Sequence, residues 1–106
     1  MIQVFVLYPS ADGNTFDHDY YASKHFPMVG DKLGPMKLRG GNLFKAIAGP
    51  DADTPPAFMG GGVLLFDSVD DFQAAFAEHG EALMADIPNF TNTKPTVFVG
   101  EITAGG

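Results

Sequence analysis

Apolar and polar positions fall into short runs separated by proline and glycine, and these breaks divide the chain into a string of compact elements. Ile2 to Tyr8 is rich in β-branched and aromatic residues, closes at Pro9-Ser10 and Asp12-Gly13-Asn14, and reads as a first strand. A helix is expected from Asp17, whose carboxylate is placed to cap its first turn, with Phe16 and Tyr21 spaced as a hydrophobic staple. That helix runs to about Lys32 or Leu33, bends at Pro27 and stops at Gly34-Pro35. Met36 to Ala48 reads as a second strand loosened by Gly40-Gly41. The stretch from Gly49 to Pro56 is a loop by composition, and Phe58 to Phe66 reads as a third strand containing Gly60-Gly61-Gly62. Ser68-Val69-Asp70-Asp71 has the form of a helix start. Phe72, Phe76 and Leu83 keep helical spacing behind it, with Gly80 as a weak point and Pro88 as the end. Thr96 to Ile102 makes a fourth strand. The order is β-α-β-β-α-β without an internal linker or repeat, so residues 1–106 are expected to form a single domain.

The strands carry a second message. Ile2, Val4 and Val6 point one way from the first strand, while Phe5 and Leu7 point the other. Leu64 and Phe66 oppose Val63 and Leu65 in the third strand, and Phe98 opposes Val97 and Val99 in the fourth. An antiparallel sheet with one wet face alternates apolar with polar residues; here both faces are apolar, yet two helices cover only one. The second face calls for a partner, and a homodimer formed through the sheet faces is expected.

Composition narrows the function classes. Six basic and thirteen acidic side chains give a net charge of −7, which opposes nucleic acid or an anionic membrane as the main partner. The chain has no cysteine, so disulfides, thiolate catalysis and thiolate metal sites are excluded. Met1 to Tyr8 lacks a basic stretch and is too short for a signal or a membrane span, so a cytoplasmic location is expected.

Candidate chemistry is concentrated in Phe16-Asp17-His18-Asp19-Tyr20-Tyr21-Ala22-Ser23-Lys24-His25-Phe26-Pro27. Tyr21 and His25, four apart, share one helix face, and Pro27 disturbs the turn that carries them. An imidazole takes and returns protons near neutral pH, and a phenol beside it is able to hold a developing oxyanion. His25 equally suits a structural role, hydrogen-bonded to the carbonyl that Pro27 frees. Asp17 reads as a helix cap and His18 as a solvated residue. Asp86 and Asn89, on either side of Pro88, are explained by turn formation.

Tyr8-Pro9, Phe16-Asp17, Tyr20-Tyr21, His25-Phe26-Pro27, Phe66-Asp67-Ser68 and Ala85-Asp86-Ile87-Pro88-Asn89-Phe90, taken in this order, resemble the EthD-like family of dimeric α+β barrel proteins. The resemblance covers nearly the whole chain. It implies an α+β, ferredoxin-like βαββαβ fold: a four-stranded antiparallel sheet, two helices on one face, and two copies joined sheet to sheet. It also implies a cleft between sheet and helices that takes a small oxygen-rich molecule of phenol, quinone or lactone type, in a family labelled oxidoreductase-like and associated with catabolism. His25 is then the expected acid and base, with Tyr21 orienting the substrate. Tyr20, Tyr8, His79 and Phe76 are the candidate substrate-binding residues. Isomerisation, cyclisation or decarboxylation in the same cleft is the alternative chemistry, and a non-catalytic accessory to a separate oxygenase is the alternative class. No cofactor is expected, because the glycine run lies inside a strand and not at a strand-to-helix turn. No metal is expected either, because His18, His25 and His79 lack the spacing of helical metal motifs.

Overall fold

β-branched and aromatic side chains dominate Ile2–Pro9. In the computed structural model, which describes residues 1–105, this strand (β1) is an inner strand of a four-stranded antiparallel sheet. Strands β2 (Gly40–Lys45), β3 (Phe58–Phe66) and β4 (Thr96–Glu101) complete it in the order β2-β3-β1-β4. After a connection through residues 10–17, three helical pieces run on from one another: α1 (His18–Tyr20), a π-helical turn (Tyr21–His25) and α2 (Phe26–Leu33). The long helix α3 (Val69–Asp86) packs beside α2. Short 3₁₀ turns at Gly34–Met36 and Ile87–Asn89, each containing a proline, end the two helical segments. This is the βαββαβ connectivity of a ferredoxin-like α+β fold. Among the described residues, no helix is long and apolar enough to cross a membrane.

Strand β2 is shorter than its sequence suggests. Met36 belongs to the 3₁₀ turn, and Lys37 takes a left-handed conformation with φ 72° that no strand accommodates. After Lys45 only one further ladder bond forms outside the strand, from the Ala46 amide to the Met59 carbonyl at 3.1 Å. The third strand has the bounds its sequence implies, and Ser68 caps α3 by accepting from the Asp71 amide at 3.2 Å.

Register separates the two faces. One face carries three cross-strand rows: Gly40-Leu65-Gln3-Gly100, Asn42-Val63-Phe5-Phe98 and Phe44-Gly61-Leu7-Thr96. It holds no charged side chain, and Phe5 stacks on Phe98 with ring centroids 4.8 Å apart. The other face meets the helices. There Ile2, Val4, Leu64 and Phe66 pack with Val29, Leu33, Ala75 and Leu83 into an aliphatic core. A second, aromatic cluster of Tyr8, Tyr21, Ile87 and Phe90 lies beside it. Gly62, on this face, leaves room for that cluster: a Cβ there would stand 3.1 Å from the Tyr21 hydroxyl.

Candidate active site in the sheet–helix cleft

Local sequence sets the entrance angle of the helix that carries Tyr21 and His25. The Asp17 carboxylate accepts from the Tyr20 amide at 3.0 Å, and the Phe16 and Tyr21 rings meet at 4.9 Å, closing the cap and the staple. The Asp17 amide donates to the Phe90 carbonyl at 2.7 Å, so the start of this helix is tied to the residues just after α3. Pro27 lacks a donor and would press on the Ser23 carbonyl in a regular helix. The chain responds by widening one turn: the Phe26 amide bonds to the Tyr21 carbonyl, five residues back. The Ser23 hydroxyl donates to the Asp19 carbonyl at 2.6 Å. Such wide turns add one residue to the helix and frequently occur at functional sites.

Within that turn Tyr21 and His25 are both buried, and their rings stack at 5.6 Å with 18° between planes. His25 Nδ1 lies 2.9 Å from Asp86 Oδ2, at the end of α3. A carboxylate only accepts, so Nδ1 carries the proton, and in the neutral ring Nε2 is the nitrogen that keeps its lone pair. Tyr20 donates its hydroxyl to Asp86 Oδ1 at 2.8 Å, and the Asn89 amide donates to the same oxygen at 2.9 Å. Burial works to raise the Asp86 pKa. The bonds from Asn89, His25 and Tyr20, with the attraction of His25, outweigh it and hold the carboxyl below its ordinary value. Asp86 is thus an ionised acceptor that fixes the histidine's tautomer and ring plane.

Strand β1 contributes Tyr8, which is fully buried and meets the Tyr21 ring edge-on, with centroids 5.5 Å apart. Burial raises both phenol pKa values well above the ordinary 10, so both hydroxyls stay protonated as donors. His25 and Tyr8 line a cleft between the helix-facing side of the sheet and the helices. Its sheet wall is Val4, Val6, Leu64 and Val97; its helix wall includes Val29, Phe72, Phe76 and Met84. The enclosed volume is about 60 Å³.

The predicted site residues therefore divide. His25, Tyr8 and Phe76 line the cleft, and Tyr21 stands behind His25. Tyr20 is turned to Asp86 and supports the carboxylate instead of facing the cleft. His79, half-buried on α3, lies 4.0 Å from Glu78 and off the cleft wall. His18 is half-buried. Its ring packs on Phe16 at 4.6 Å and over Gly60, and burial, with Lys45 nearby, lowers its pKa. Asp86 is the residue that the sequence reading treated as a turn former; its pairing with His25 spans 61 positions and leaves no local signal. Among the described residues, no group of three His, Asp or Glu side chains is placed to hold a metal ion.

The EthD domain profile matches residues 13–94. The chain is similar to an EthD-like protein from Ralstonia eutropha JMP134, with 35% identity and a TM-score of 0.91 over 99% of this chain and 94% of that one. It also resembles an ethyl tert-butyl ether (EthD) family protein from Bacillus halodurans C-125, at 22% identity and a TM-score of 0.71 over 95% and 97% of the two chains. HapK from Hahella chejuensis shares the fold at 12% identity and a TM-score of 0.61, over 100% and 96%. No curated protein matches the chain.

Proposed function

The chain belongs to the EthD domain family, and from that premise we propose that it binds and transforms a small oxygen-bearing organic molecule, of phenol, quinone or lactone type, in the cleft, with His25 as acid and base. The observation that carries this reading is the His25–Asp86 pair at the cleft wall. Asp86 occupies Nδ1, so Nε2 is the nitrogen free to take a proton from a substrate O–H or acidic C–H. The imidazolium that forms is stabilised by the ionised carboxylate, and the proton returns to another atom of the same substrate. The Tyr8 hydroxyl donates to the substrate oxygen as charge develops on it, and Tyr21, stacked on His25, holds the imidazole in place. This chemistry draws on no cofactor.

Proton transfer of this kind serves isomerisation, cyclisation and decarboxylation, and precedes oxidation of a phenol by dioxygen or by a separate oxygenase. The last case is the second reading, an oxidoreductase-associated accessory that binds without turning over. The small enclosed volume of about 60 Å³ favours it, because a substrate held only at one end remains open to a partner enzyme. Assembly as a homodimer through the charge-free sheet face belongs to the same proposal. Phe44 and Phe98 are 39% and 49% exposed there, and no like charges oppose one another across a two-fold axis. A cytoplasmic setting and a catabolic role complete it.

An NMR titration of the three histidine rings against a panel of phenols, quinones and lactones tests the site. His25 should respond to a ligand that leaves His18 unmoved, and His25→Ala should abolish turnover of that ligand without unfolding the chain. An unresponsive His25, or unchanged turnover in the variant, overturns the assignment.

A further inference from the structure

Polar groups gather at one end of the cleft. His25 and Tyr8 are the polar side chains of its wall, with the Tyr21 ring packed against both; every other wall residue is aliphatic, aromatic or a thioether. The enclosed volume of about 60 Å³ is less than half of the ~150 Å³ at which an apolar cavity holds benzene. It suits the oxygen-bearing edge of a molecule and not its whole body. From there the wall continues to the surface as Phe76, Met84 and Val97, which remain 36%, 43% and 42% exposed. This rim gives a ligand apolar area to cover and no polar group to satisfy.

We propose that the site selects a largely apolar molecule with one hydroxyl or carbonyl oxygen at its end. The oxygen sits against Tyr8 and His25, and the apolar body runs outward along Phe76, Met84 and Val97. This rests on the reading of the cleft as a site at His25, and narrows its ligands from oxygen-rich compounds to those with a single oxygen function. The physical reason is desolvation: each further hydroxyl along the apolar wall goes without a partner and weakens binding roughly 5- to 150-fold. Each methylene laid on the rim gains up to about fourfold.

The test measures dissociation constants of the full chain for 4-ethyl-, 4-butyl- and 4-hexylphenol, for 3-(4-hydroxyphenyl)propanoate, and for pyrogallol, by calorimetry and by the His25 ring shifts. Affinity should rise two- to fourfold per methylene, the carboxylate should bind at least tenfold more weakly than butylphenol, and pyrogallol should bind more weakly than ethylphenol. In Met84→Glu, a change at an exposed position, the gain along the alkyl series should disappear while the melting temperature holds. A flat series, an equally tight carboxylate, or an unaltered series in Met84→Glu overturns the selectivity while leaving the His25 site standing. If no phenol moves the His25 ring, both readings fall.

Discussion

The helix-facing side of the sheet has two ends that are built from opposite materials. At one, Ile2, Val4, Leu64 and Phe66 meet Val29, Leu33 and Leu83; the residues are aliphatic or phenyl, and nothing there carries a hydrogen bond through its side chain. At the other, Tyr8, Tyr21 and Phe90 surround His25, and a carboxylate collects donors from three side chains. The helix is regular over the first and opens into a π-helical turn over the second. The first end serves stability, and a change of volume there is costly. The second keeps titratable atoms against a cleft. Their adjacency means that variants separate the two roles.

The largest effect is expected at the aliphatic end. Phe66 is fully buried, and Phe66→Ala should cost about 3–5 kcal/mol in chemical denaturation through lost burial and a residual cavity. The His25 tautomer should be unchanged in the fraction that remains folded.

Asp86 comes next, and it separates structure from chemistry. Asp86→Ala leaves His25, Tyr20 and Asn89 without their acceptor and should cost about 1–3 kcal/mol, with turnover of any identified substrate falling on the order of 10²–10⁴-fold. The pH dependence follows from the lowered carboxyl pKa. A group whose folded pKa lies below its unfolded value contributes stability above the unfolded value, near 3.9 for aspartate, and loses it as pH falls through the folded one. Acid unfolding curves of Asp86→Asn should lack this component below about pH 4 and coincide in shape with wild type above it.

How much of this was legible in the sequence differs between the two ends. The aliphatic core follows from strand alternation and helix spacing: Val4, Leu64, Phe66 and Leu83 occupy the positions their periodicity assigns. The caps at Asp17 and Ser68 were equally readable, because each depends on neighbours within a turn. At the aromatic end Pro27 announced an irregularity in the helix, but not that a widened turn would stack Tyr21 on His25. Asp86 offered an adequate local explanation beside Pro88, and its role depends on a partner 61 residues away that only the packing of α3 supplies. The second strand ran too long in the sequence reading because apolar Met36 and Leu38 continued its pattern. The left-handed Lys37 between them has no signal in a lysine.

Two smaller effects sharpen the aromatic end. Tyr21→Phe removes a buried hydroxyl beside Tyr8 and His25 and should change stability by less than about 1.5 kcal/mol, while weakening binding of a phenol roughly 2- to 12-fold. Calorimetry on the folded variant checks both figures. Gly80→Ala should have the smallest effect on stability. A methyl there meets the Phe76 ring at 2.8 Å, which offsets the ~1 kcal/mol helix gain of alanine over glycine. Because Phe76 is partly exposed, its ring should swing off the cleft wall, visible as altered ring shifts and a several-fold change in ligand affinity.

The central claim is that His25 holds a fixed tautomer with a basic nitrogen presented to the cleft. Long-range proton–nitrogen NMR of the imidazole rings tests it most directly, comparing wild type with Asp86→Asn near neutral pH, with and without 4-butylphenol. In wild type His25 should appear with its proton on Nδ1 and Nε2 unprotonated. Nε2 should shift on adding the phenol, and the tautomer preference should weaken in Asp86→Asn. A His25 protonated on Nε2 alone, or an Nε2 signal indifferent to the phenol, contradicts the account and leaves the histidine as a packing residue of the π-helical turn.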